Sequence, residues 1–299
     1  GRVALASVFL ALQLTLSACN GGMESNEAEP YPQPNPPFYE LANANGELEG
    51  WLLGSIHALP DGVLWRTPET NRAIETADAL VVEVETLGIS ENISAIFSEL
   101  SYSPGQAPLG QRVSTDLRPE LLMMLAETDL NATTFDDIED WGVAIILARV
   151  DAPGKPENGV DRALIAEFAN RDIRGLETTR DQLSIFDRLA SHDQRELLEG
   201  TIEEWAASRD NPEHLLRAWL VGDTEALIEA ASEGIMADPR LRAALLVDRN
   251  TQWLEQLIPL LEEDAKPLIA VGAAHLVGPD GLVSMLEAKG YKVKRLPSS

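Results

Sequence analysis

The sequence predicts an α/β (α+β) domain with a central mixed sheet built from two strand–G-x-x-H–helix–strand units and a large helical insertion between them. Two observations carry this reading. First, residues 51–85 run WLLGSIHALPDGV, then a helical stretch, then ALVVEVE, while residues 267–296 run PLIAVGAAHLVGPDGL, a second helical stretch, then YKVKRL. Both units go strand, G-x-x-H, a loop carrying Pro-Asp-Gly, helix, strand. Second, the chain between them shows apolar residues spaced by three and four, the period of a helix rather than a strand. Strand–helix–strand units of this length favour parallel strands. If both lie in one sheet, both G-x-x-H turns fall at its carboxyl edge, where open α/β sheets bind ligands.

Taken in order, the chain opens with GRVALASVFLALQLTLSACNGG, an apolar stretch too short for a good membrane span and soon followed by polar sequence. It reads as a secretory signal. Leu16-Ser17-Ala18-Cys19 is similar to the lipobox of bacterial lipoproteins, in which the chain is cut before the cysteine and the thiol receives lipid. The expectation is a lipid-anchored chain in the bacterial cell envelope, facing the periplasm, with Asn20 favouring the outer membrane. Residues 20–37, rich in Gly, Pro, Asn and Glu, read as a disordered tether. A single domain then spans 38–297, with a helical middle over about 115–262.

Within that domain, 38–57 predicts two strands joined by a turn at Asn45-Gly46. A helix starting at Pro68 runs to 78, and 79–85 is an apolar, β-branched strand. The middle predicts helices over 118–129, 136–149, 159–170, 179–190, 193–208, 211–219, 223–232, 238–247 and 248–262, with a short strand at 172–177. Residues 267–275 form a strand, 278–290 a loop and helix, and 291–296 a closing strand.

Composition narrows the function. With 23 basic against 49 acidic residues the net charge is −26, which argues against a nucleic-acid partner because such binding needs Lys/Arg on phosphates. Cys19 is the only cysteine, so no intrachain disulfide forms, and the lipobox removes it as a nucleophile. The chain has no H-E-x-x-H, no G-x-S-x-G, no Walker A motif and no G-x-G-x-x-G.

Two of the four histidines, His57 and His275, close the matched G-x-x-H turns. One histidine at a strand end is ordinarily structural. Two in matched settings leave a shared site and separate structural roles equally open. Glu83 and Glu85 are anomalous in a strand that otherwise reads as buried, because an unpaired carboxylate is costly to desolvate. They either reach solvent beyond the sheet edge or sit beside the histidines. Two histidines with one or two carboxylates could hold Zn²⁺, Mn²⁺ or another divalent ion with open positions for water. Glu177, at a strand-to-helix junction, reads as a capping acid or a functional one. Arg249 reads as a surface arginine or a transition-state clamp. Asp161 reads as a helix N-terminal acid, and His192 and His214 as structural or solvated.

In combination, GSIH at 54–57, ADALVVEVE, NGVDRAL, RGLETTRDQL, WLVGD at 219–223, DRN at 248–250 and VGAAHLVGPDGLVSMLEAKGYKV resemble the TraB/GumN (TraB–PrgY–GumN) family, related to the Tiki proteases. The resemblance covers about residues 38–297. It implies a metal-dependent peptidase site in which His57, His275 and Glu83 bind a divalent ion (Mn, Co or Zn) or activate water, with Arg249 a weaker carry-over. Glu85 falls where many relatives have another acid or none. In this expectation Glu85 or Glu177 moves protons and Arg249 steadies developing negative charge, on a peptide or small-molecule substrate. The membrane is met only through the lipid anchor. The related folds include erythromycin-esterase-like hydrolases and haem-binding lipoproteins. A binding lipoprotein for haem, a peptide signal or a polysaccharide component, or a metal-independent esterase-like hydrolase, are therefore the alternatives.

Overall fold

The computed structural model describes residues 30–85 and 93–297. The signal segment, Cys19 and the start of the tether lie outside the described residues, and no described helix is long and apolar enough to cross a membrane.

Six strands form one mixed sheet: β1 (Phe38–Ala42), β2 (Leu48–Ser55), β3 (Ala79–Val82), β4 (Asp172–Gly175), β5 (Pro267–Gly272) and β6 (Lys292–Arg295), in the order β4-β3-β5-β2-β1-β6. β1 and β2 make the expected antiparallel hairpin. Its turn is held by the Asn43 side chain, which accepts from the backbone of Asn45 and Glu47, with Gly46 at φ +88. β2, β5, β3 and β4 pair in parallel, and β6 lies antiparallel to β1, so only β1 runs against the rest.

Both strand–helix–strand units are therefore present, but they interleave. β5 inserts between β2 and β3, and pairs with each of them. Beyond β3 the chain moves outward to β4, whereas beyond β5 it crosses to β6 on the other side. The carboxyl ends of β3 and β5 thus border a topological switch point, the crevice that α/β sheets offer to ligands.

Three expectations shift in detail. The strand read over 79–85 ends at Val82, and the one read to His275 ends at Gly272, with Ala273–Leu276 forming a helical turn. The separate helices read at 238–247 and 248–262 are continuous, from Pro239–Arg242 through a π-helical segment at Ala243–Val247 into Asp248–Leu261. Asp248 sits within the rod instead of ending it. A helix at Ile93–Ser101 was not anticipated.

The end of the expected tether is also held against the domain. Tyr31 donates to Glu213, Asn35 N–H to the Leu220 carbonyl, and the Arg295 guanidinium to the carbonyls of Asn35 and Pro36. A proline-rich strip has carbonyls to spare, and Arg295 binds it without any regular element forming.

Two apolar clusters hold the fold. One packs both faces of the sheet, with Leu52, Leu53, Leu80, Val81, Ile269 and Val271 covered by Trp219, Trp253 and Phe168. The other lies wholly in the helical block around Trp141, Phe97, Phe135 and Phe186. The sheet cluster reaches the first G-x-x-H turn through a buried hydrogen bond from Trp219 Nε1 to the Gly54 carbonyl, 2.8 Å. Trp219→Phe leaves that carbonyl unpaired, and should lower unfolding free energy by about 1–3 kcal/mol in urea titrations. A cost near zero would show that the bond does not hold the turn.

Candidate functional site

The sheet brings the candidate residues together by register. β2 and β5 lie side by side with Ser55 opposite Gly272, so the two histidine turns leave the same edge. The β3/β4 ladder continues one step past the strand ends: Leu176 N–H donates to Val82 and Glu177 N–H to Glu83. That places Glu83 and Glu177 next to one another as their strands run out.

His57 is held from the helix Val160–Glu167. Its Nδ1–H donates to Asp161 Oδ2 at 2.8 Å, and Ser55 Oγ donates to Asp161 Oδ1 at 2.9 Å. Gly159 makes this approach possible. A Cβ there would stand 2.3 Å from the His57 carbonyl oxygen, so no side chain fits, and Val160 N–H instead closes on the Ile56 carbonyl. His57 Nε2 then faces Glu83 Oε1 at 4.0 Å, beyond a direct hydrogen bond.

Arg249 forms the other half. Its Nη2 donates to Glu83 Oε2 at 2.9 Å and also to Glu177 Oε1. Nε donates to Glu177 Oε1 at 3.1 Å, and Nη1 donates to His275 Nε2 at 3.1 Å and to the Leu245 carbonyl at 3.3 Å. The guanidinium lies over the Trp253 ring, which packs in turn against the His275 ring. Because a guanidinium only donates, His275 Nε2 accepts, and its Nδ1–H donates to Asn250 Oδ1 at 2.7 Å. Asn250 is held in this sense by its amide, which donates to the carbonyls of His275 and Asp280. Glu83 has partners on both oxygens: Gly272 N–H donates to Oε1 at 2.7 Å, and Gln182 donates to Oε2 at 3.3 Å beside Arg249.

All four central groups are buried, with His57 9% exposed, His275 2%, Glu83 4% and Arg249 6%. Burial is the largest influence on each, and the neighbours decide the outcome. For His57 burial lowers the pKa, but Asp161, with help from Glu83, outweighs it and raises the value to about 9. For His275 burial and the Arg249 charge act together and lower it to about 3. Burial would raise Glu83, yet Arg249 and both histidines bring it down to about 2. Glu177 stays raised by burial despite Arg249.

The structure therefore gathers His57, His275, Glu83, Glu177 and Arg249 into one contact network. Glu85 does not join it. β3 ends at Val82 and the chain turns away, so strand alternation no longer carries Glu85 inward and its side chain is exposed. Glu177 does not cap the helix Thr179–Asp187; Thr178 and Asp181 form that capping box between them, which leaves Glu177 to Arg249. His192 and His214 are exposed, and His192 faces Glu196 on its own helix. Three participants were not singled out from sequence as site residues: Asp161, Asn250 and Gln182. Asp161 could be read from sequence only as an acid at a helix start; its burial depends on the close approach that Gly159 permits. Asn250 and Gln182 carried no signal beyond their neighbours in the chain.

A three-ligand metal centre does not fit this arrangement as it stands. His57 Nε2 and Glu83 Oε1 could act as donors, and Asp161 behind His57 is the usual orienting carboxylate of a metal-bound histidine. The third donor, His275 Nε2, already accepts from Arg249. Among the described residues no group of three or more His, Cys, Asp or Glu side chains is arranged to hold an ion. A cavity of about 510 Å³ opens on the Arg249 side, lined by Glu177, Arg249, Trp253, Asp181, Ile185 and Leu189.

A model of the TraB/PrgY/gumN family matches residues 39–295. No curated protein and no solved structure matches the chain.

The shifted groups tie stability to pH with definite signs. His57 is raised from 6.5 to about 9, so its contribution is complete below about 6.5 and disappears as pH rises through 9. His275, lowered from 6.5 to about 3, contributes above about 6.5 and loses that contribution as pH falls through 3. Glu83, lowered from 4.5 to about 2, adds to the acid loss below about 4.5. Urea midpoints should accordingly decline from pH 6.5 to 9, and Asp161→Asn should flatten that decline. The same slope in wild type and variant would rule out the Asp161–His57 coupling.

Proposed function

The chain belongs to the TraB/PrgY/gumN family, and from that premise we propose that its buried His–Glu–Arg network is the active site of an envelope hydrolase acting on a peptide or small acyl substrate. The observation that carries this reading is the convergence of both G-x-x-H histidines on Glu83 and Arg249, with Asp161 behind His57. An orienting carboxylate fixes one imidazole nitrogen as N–H and leaves the other to exchange protons.

A water between His57 Nε2 and Glu83 Oε1, 4.0 Å apart, would lose a proton to Nε2 and attack the substrate carbonyl. Asp161 and Glu83 stabilise the imidazolium that forms, and this returns its proton to the leaving group. Arg249, a fixed cation in a dry setting, attracts the negative charge that develops on the carbonyl oxygen. Neutral His275, held by Asn250, fixes Nη1 of Arg249, while Glu177 holds the opposite side of the guanidinium at the cavity wall. The lipobox at Cys19 supports an anchored position in the bacterial envelope, and the charge of −26 supports a partner other than nucleic acid.

A second reading, a binding protein that holds its ligand without turnover, is favoured by one observation: neither histidine lines the 510 Å³ cavity. The two separate in an assay of the purified chain against peptide and chromogenic ester panels, with and without chelator. The hydrolase reading expects turnover whose kcat/KM rises with pH towards a plateau above about 9, because His57 must be neutral to accept a proton. His57→Ala should lower kcat by about 10²- to 10⁴-fold, and Asp161→Asn should move the pH limb downward. Ligand binding with no turnover on either panel would favour the second reading. A flat profile from neutral to alkaline pH would remove His57 as the base.

A further inference from the structure

We propose that Arg249 is the resident cation of this site: its guanidinium takes His275 Nε2 and one of the two carboxylate oxygens of Glu83, so the folded chain excludes a divalent ion, and removing this one side chain frees both for a metal site shared with His57 Nε2. Three observations converge on it.

The first is the state of the two histidines. Each gives its Nδ1–H to a buried oxygen, His57 to Asp161 and His275 to Asn250. Each therefore turns Nε2 inward, which is the tautomer and orientation that a metal-bound histidine takes from its supporting hydrogen bond.

The second is a space without a side chain. A Cβ on Gly272 would lie 3.1 Å from Glu83 Oε1, 3.6 Å from His275 Cδ2 and 3.7 Å from His57 Nε2. Glycine at 272 leaves a gap bordered by Glu83 Oε1, His57 Nε2 and the Cδ2 edge of the His275 ring.

The third is what blocks it. Arg249 Nη1 lies 3.1 Å from His275 Nε2, and Nη2 lies 2.9 Å from Glu83 Oε2. A guanidinium cannot shed its proton to make way for an ion, and a second cation beside it in a buried setting meets strong repulsion. Arg249 is also anchored from behind, by Glu177, by the Leu245 carbonyl in the π-helical segment and by the Trp253 face. Without Arg249 the network keeps the carboxylates of Glu83, Glu177 and Asp161 with His57 as the one group among them able to carry positive charge. A divalent ion would supply the missing charge.

Titration of the full chain with Co²⁺, followed by visible absorption and thermal melting, tests this. Wild type should show no bound-cobalt bands and no change in melting temperature. Arg249→Gln and Arg249→Ala should each show bound-cobalt bands that saturate at one Co²⁺ per chain, and should melt higher with Co²⁺ present. Adding His275→Ala to Arg249→Gln should abolish both effects. If a variant folds poorly without its arginine, recovery of helical circular dichroism on adding Co²⁺ reports the same binding. The proposal is overturned if wild type binds Co²⁺ as tightly as the variants, if neither variant gains affinity or structure with Co²⁺, or if the gain survives His275→Ala. Cobalt binding reads the cation site alone, so its outcome is independent of whether the wild-type chain hydrolyses any substrate.

Discussion

The guanidinium of Arg249 is the contact on which the rest of the site depends. It joins Glu83 at the exit of β3, Glu177 at the exit of β4 and His275 just past β5. Three chain segments that the sheet brings together are thereby fixed to one another by one side chain. Buried ion pairs add little net stability when compared with apolar packing, yet losing one member of such a group costs about 3–5 kcal/mol because its partners stay buried and charged. Arg249 is thus better understood as specifying the arrangement than as strengthening the fold.

The network is asymmetric in a way that follows from these contacts. Asp161 supports His57 as a cation, while burial and the Arg249 charge keep His275 neutral and Asn250 sets its tautomer. Two histidines in matched turns of the chain thus have opposite protonation behaviour. The difference comes from what the helices carry to each: a carboxylate from Val160–Glu167 on one side, a guanidinium and an amide from Asp248–Leu261 on the other. The sheet supplies the repeat and the helical block breaks its symmetry.

Much of this was legible before the fold was known. The repeated strand–G-x-x-H–helix–strand pattern pointed to one sheet edge because the local preferences that make parallel crossovers are written in short segments. His57, His275 and Glu83 stood out as polar residues at the ends of apolar runs. Asp161 was legible only as a helix-start acid. Its hold on His57 depends on the close packing of Gly159 against residue 57, a contact across about a hundred residues of chain. Glu85 looked equivalent to Glu83, but two-residue alternation holds only while a strand continues, and β3 stops at Val82.

The sequence by itself determined the class of fold, the order of its strands and the two histidine turns, because periodicity, turn residues and burial of apolar runs are local properties. The tertiary structure alone decided that β5 would insert between β2 and β3, that Arg249 would take the space among the acids and His275, and that Asn250 would set a tautomer. Those outcomes depend on distances and desolvation between residues far apart in the chain, and no local pattern encodes either.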